Sequence, residues 1–99
     1  MSIEKYKCKD FPTTGLVRIP KKFQVKLGLH TGRRVDIAYE EKIIFIRREN
    51  PKSLHNKRLI SESGYVKIPK EIIDIANITS EDEYCLYVDE PNKQMVVKI

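Results

Sequence analysis

Tryptophan is absent, cysteine and methionine occur twice each, and glycine only four times among 99 residues. Cys8 and Cys85 stand far apart, so they form neither a CxxC pair nor the spacing of a secreted disulfide scaffold. They are read as reduced thiols of a cytoplasmic protein, with a bridge between them left open. No apolar run approaches membrane-spanning length, and Met1–Asp10 lacks the hydrophobic stretch of a signal peptide, so no membrane partner is expected. Gly15 and Gly64 are single turn glycines rather than part of a phosphate-cradling loop. His30 and His55 have no partner at a spacing that builds a catalytic dyad or a metal site, and the carboxylates fall in turns. The chain is therefore expected to be no enzyme and to carry no cofactor or metal.

What the sequence does contain, it says twice. Gly15-Leu16-Val17-Arg18-Ile19-Pro20-Lys21 recurs 49 positions later as Gly64-Tyr65-Val66-Lys67-Ile68-Pro69-Lys70. Five of the seven positions are identical and a sixth exchanges Arg for Lys. Each copy reads as a turn glycine, a short alternating strand, and a proline at the first helical position, where its missing N–H costs nothing. One copy is too short to bury a full apolar face, so the two are expected to share one core within a single domain, 1–99. The first repeat spans 1–48, a polar linker 49–56, and the second repeat 57–99.

Hydropathy alternation predicts strands over Ile3–Asp10, Leu16–Ile19, Val35–Tyr39, Ile43–Arg47, Tyr84–Val88 and Met95–Lys98. Pro20–Leu27 and Pro69–Ala76 are predicted as two-turn helices with apolar pairs Phe23/Leu27 and Ile72/Ala76 spaced i, i+4. Gly28 and Asn77 follow as equivalent left-handed caps. Helices this short depend on packing for their stability.

Charge is divided unequally. Residues 1–50 hold twelve Lys/Arg against six Asp/Glu, and residues 51–99 hold seven against eight. An excess concentrated on one of two similar repeats points to a polyanion partner on that side. On strict alternation, Lys5, Lys7 and Lys9 project from one face of their strand. Arg18 points away from Val17 and Ile19. Lys21 and Lys22 occupy a first helical turn, where the dipole favours anions, so their use in binding is expected. Lys26, Arg33 and Arg34 follow around the cap and turn, and Lys67 and Lys70 remain at the matching corner of the second repeat. Lysines would anchor on phosphate, while Arg18, Arg33 and Arg34 could read groove edges.

Strand, G-x-V-basic-I-P-K, short helix, cap, turn and hairpin, in that order and repeated, resemble the AbrB/SpoVT/MazE family of swapped-hairpin domains. The resemblance implies a mainly β fold: a swapped-hairpin β-barrel of two internal repeats, each with one short helix. It also implies a DNA-binding transcriptional regulator or an antitoxin. In the family two chains usually supply the two repeats; here one chain supplies both. The family commonly places Arg where Leu16 and Tyr65 stand, and paired arginines where Gln24 and Val25 stand. Its turn before the hairpin is usually Gly-Asp rather than Gly32-Arg33, so the family's own DNA contacts do not carry over intact. Double-stranded DNA, bound mainly through the first repeat, is the expected partner, and homodimerisation would pair two such repeats. The competing expectation is a protein-binding module, an antitoxin or anti-regulator, docking its partner through the acidic second repeat.

Overall fold

The computed structural model describes residues 3–99. Met1 and Ser2, which open the segment read as lacking a signal peptide, lie outside the described residues. Eight strands and two helices follow one another: β1 (Ile3–Asp10), β2 (Leu16–Arg18), α1 (Lys21–Leu27), β3 (Arg34–Glu40), β4 (Ile43–Arg48), β5 (Asn56–Leu59), β6 (Tyr65–Lys67), α2 (Lys70–Ala76), β7 (Glu83–Asp89) and β8 (Gln94–Lys98). The protein is mainly β. Among the described residues, no helix is long and apolar enough to cross a membrane.

The two copies meet at β2 and β6, which pair antiparallel with Val17 directly opposite Val66. Both valines are fully buried. Ile19 N–H donates to the Gly64 carbonyl at 2.8 Å, and Ile68 N–H donates to the Gly15 carbonyl at 2.8 Å. Each bond maps onto the other by the offset of 49, so a pseudo-two-fold axis passes between the valines. The six remaining strands obey the same axis, in the order β1-β7-β8-β4-β3-β5. The hairpins β3–β4 and β7–β8 meet at β4 and β8, and each repeat's opening strand pairs with the other repeat's hairpin: β1 with β7, β5 with β3. This exchange is why neither copy can close its own core. Val35, Ile37, Ile44, Ile46, Leu86, Val88, Met95 and Val97 on one sheet face join Val17, Ile19, Leu27, Val66, Ile68 and Ile72 in a single cluster. Each such side chain stabilises the fold by about 1.5–3 kcal/mol on burial.

Several expectations need correction. A closed barrel is not formed: β1 and β5 both end the six-stranded ladder, and β2–β6 stands apart as a two-stranded ribbon. β5, four residues long, pairs with β3 alone. β5 was itself illegible, and its first residue, Asn56, falls in the expected linker. Pro20 and Pro69 precede the helices rather than begin them; their ψ values of 144° and 138° are extended. The caps agree with expectation, Gly28 at φ 70° and Asn77 at φ 55°. Cys8 and Cys85 are not free thiols but a disulfide, because the β1–β7 register sets them directly opposite one another.

The axis is imperfect where side chains differ, and this gives a test. Gly15 and Gly64 are both left-handed, at φ 74° and 85°. A Cβ on Gly15 would sit 3.3 Å from the tip of Ile73, whereas one on Gly64 would sit 2.6 Å from Gln24 Nε2 and 2.9 Å from the Ile19 carbonyl oxygen. Gly15→Ala and Gly64→Ala therefore share a left-handed cost of about 1–2 kcal/mol. Gly64→Ala adds the displacement of Gln24, whose amide donates to Ile19 O at 2.8 Å. Chemical denaturation should rank Gly64→Ala as clearly the less stable; equal midpoints would refute the packing described.

Candidate nucleic-acid interface

The ribbon's inner positions are filled by Val17 and Val66, so Leu16, Arg18, Tyr65 and Lys67 point outward and are exposed. Cross-strand pairing sets Leu16 opposite Lys67 and Arg18 opposite Tyr65. The outer face thus alternates two cations with two apolar groups. Arg18 is steadied across the ribbon, its Nε donating to the Ser63 carbonyl at 3.4 Å.

Edge strand β1 adds to this face, though not as alternation suggested. The register slips between Lys5 and Lys7, so that Lys5 opposes Tyr87 while Lys7 opposes Leu86 and Lys9 opposes Tyr84. Directly opposed residues share a sheet face, and Tyr87 and Tyr84 lie on opposite faces. The expectation that Lys5, Lys7 and Lys9 project together is therefore wrong. A bulge inserts one residue and turns Lys5 away from the other two. Lys7 and Lys9 lean toward the side carrying the ribbon. The Lys9 pKa is lowered, first by the Lys7 charge, then by desolvation and by Arg18.

The start of α1 completes the cluster. Lys22 Nζ lies 5.2 Å from the Tyr6 ring centroid and 5.0 Å from that of Phe23, while Lys7 Nζ lies 5.3 Å from Tyr6. The two rings meet edge to face at 4.9 Å. Lys7 and Lys22 thus flank Tyr6 and Phe23, Lys9 joins them through the Lys7 and Arg18 charges it feels, and Lys21 is exposed at the start of α1. No acidic residue enters the first turn of α1, whereas Glu71 does so in α2. Lys70 is exposed at that second corner, where Lys67 is the remaining cation on the ribbon.

Other expected residues lie elsewhere. Lys26 pairs with Glu90 at 3.5 Å. Arg34 pairs with Glu49 at 2.9 Å and, with Arg33, lines a cleft beside the C-terminal cap of α1. Tyr6, Phe23 and Arg48 were missed as binding candidates. The Arg47-Arg48 pair closing β4 was the available signal for the last, and nothing in the alternation marked Tyr6. On α2, Ile73 packs against the core, while Ile75 is 70% exposed. Cys8, Glu83 and Cys85 bring ligand atoms within 4.8 Å of one another, but both sulfurs are committed to the bridge.

Comparison with protein-family models, with curated proteins and with solved structures finds no match. The cationic cluster is the feature of the molecule that points to a ligand. Among the described residues, Lys7, Lys9, Arg18 and Lys22 have no carboxylate in ion-pair contact. A polyanion bound there would relieve their mutual repulsion and, with its phosphates neutralised, release counterions.

Proposed function

We propose that this chain binds duplex DNA through the outer face of the β2–β6 ribbon, the exposed side of β1 and the first turn of α1, as a transcriptional regulator of the AbrB-like type. The carrying observation is the convergence of Lys7, Lys9, Arg18 and Lys22, from three separate elements, without acidic neutralisation. The exchange of opening strands between repeats supports the swapped-hairpin reading of the fold. In this reading the lysines anchor on phosphates, and Arg18, set beside Tyr65 on the ribbon, reads a groove. Lys21, Lys67 and Lys70 extend the contact along the pseudo-two-fold. A second copy would present two such faces and favour a palindromic site. In this reading the protein acts in the cytoplasm.

The test is anisotropy of a labelled mixed-sequence duplex across a salt series. The log–log slope should fall near −4 to −6, corresponding to roughly five phosphates at about −0.9 each. Lys7→Ala, Lys9→Ala, Arg18→Ala and Lys22→Ala should each flatten the slope by about 0.9, while Lys5→Ala, on the other face, should leave it nearly unchanged. Negligible binding at low salt would refute the reading. It would favour instead a protein-binding module, for which exposed Ile75 beside Asp74 on the acidic second repeat is the specific observation.

A further inference from the structure

A cleft of about 620 Å³ opens where α1 ends, and the DNA-binding reading leaves it unused. Its floor includes Leu29 and Val35, both buried, and its walls carry His30, Arg33, Arg34 and Arg48. Among the described residues, Glu49 is the one carboxylate lining it, and Arg34 takes it at 2.9 Å. Three guanidiniums against one carboxylate leave two positive charges uncompensated in a concave site. Arg48 has a partial structural explanation: its aliphatic stem lies where a Cβ on Gly28 would come within 3.3 Å, placing a cation at a helix C-terminus. Arg33 has none. It is exposed and, among the described residues, makes no ion pair.

The molecule contains its own control. The pseudo-two-fold carries this place to the C-terminal end of α2, where a second cleft is lined by Asn77, Asp82, Tyr39, Lys42, Ile75 and Ile99 among others. Gly28 maps to Asn77, His30 to Thr79, Arg33 to Asp82 and Arg34 to Glu83. The same backbone is built at both ends, so the fold does not require arginines at this one. An acidic pair in one copy stands where an arginine pair stands in the other.

We infer that the cleft beside α1 binds a phosphate group, with Arg33 and Arg48 as its main ligands and Arg34 and His30 at its rim. Guanidinium forks match tetrahedral oxyanions with paired N–H donors, and two free charges match a phosphate dianion. The apolar floor would take the organic part of a phosphomonoester. That phosphate belongs to a free small molecule; the duplex arm of the test separates it from the other source of the same group, the DNA backbone. The inference uses residues separate from the proposed DNA face and stands without it.

The experiment follows backbone amide resonances of residues 28–35 in the intact chain, titrated with inorganic phosphate and with adenosine monophosphate. Sodium chloride at matched ionic strength is the blank, and a short duplex forms a separate arm. Saturable shifts confined to these amides with both small anions, unaffected by chloride, are expected. Arg33→Gln, an exposed position whose change should not disturb folding, should weaken binding roughly ten-fold or more, and Arg33→Gln with Arg48→Lys further still. The arginine variants should keep duplex affinity, and Arg18→Ala with Lys22→Ala should keep phosphate binding. Absence of saturable shifts with either small anion would overturn the inference, as would unchanged binding in Arg33→Gln. So would shifts seen with the duplex alone, which would make these arginines part of the DNA contact.

Discussion

Reducing the Cys8–Cys85 bridge should lower the thermal midpoint of this chain by roughly 16–32 °C, near the larger end of the effects a single covalent change produces. The bridge joins residues separated by 77 positions. On the chain-entropy account, opening a loop of that length restores to the unfolded ensemble about 4 kcal/mol of conformational freedom. A domain of this size shifts its midpoint by about 4–8 °C per kcal/mol. The structure shows why little would compensate. β1 is an edge strand, and its positions are exposed save for half-buried Tyr6 and Cys8, so it contributes almost nothing to the core. Without the bridge it is held by its ladder to β7 and by the Tyr6–Phe23 contact. Amide exchange should therefore quicken first in β1, and duplex binding should weaken with it, because Lys7 and Lys9 ride on that strand. The measurement is a melting curve with and without a thiol reductant, with free thiols counted. A shift below about 3 °C in chain shown to be fully reduced would contradict the role given to the bridge.

The features legible in the sequence were those carried by local chemistry or by the repeat. The strand–Pro–helix corners, the caps at Gly28 and Asn77 and both hairpins depend on residues adjacent in the chain, and the offset of 49 gave each a second witness. What escaped was set by partners distant in sequence. Asn56–Leu59 is polar and has no alternation to read, and becomes a strand only because the edge of β3 is free to receive it. The bulge before Lys7 follows from matching β1 to β7, which no pattern within residues 3–10 discloses. The same limit applies to the site. Basic residues were visible one by one, but their division into a ribbon-face cluster and a cleft at the far end of α1 is a consequence of folding. The disulfide is the clearest instance, since its partners become neighbours only through strand exchange.

That exchange is clamped twice, by different chemistry at equivalent places. Cys8 and Cys85 map by the offset of 49 onto Lys57 and Asp36, which are directly opposed in the β3–β5 ladder. Asp36 is 1% exposed and accepts from Lys57 Nζ at 2.6 Å, Ser53 Oγ at 2.7 Å and Asn50 N–H at 3.1 Å. Burial alone would push its carboxyl up. The donors, Lys57 foremost, outweigh burial and hold its pKa below the ordinary 3.8. A carboxyl so depressed contributes stability that is full above its unfolded pKa and is lost as pH falls through the folded one. Lys57→Ala strands the carboxylate and should cost about 3–5 kcal/mol at neutral pH. It also frees the linker turn, because Lys57 donates to Asn50 O and Ser53 Oγ as well. The gap to wild type should narrow as pH falls toward the carboxylate range, since protonating an unpartnered Asp36 forfeits less. Denaturation at neutral and acidic pH reads this directly, and a gap that widens with acid would refute it. Asp36→Cys with Lys57→Cys then tests the equivalence itself. The pseudo-axis places those two sulfurs as it places Cys8 and Cys85, so a second bridge should close on oxidation. It would span 21 positions and return about 3 kcal/mol of the stability lost with the ion pair. Two thiols still titratable in the folded, oxidised double variant would show that the repeats match in sequence offset but not in geometry.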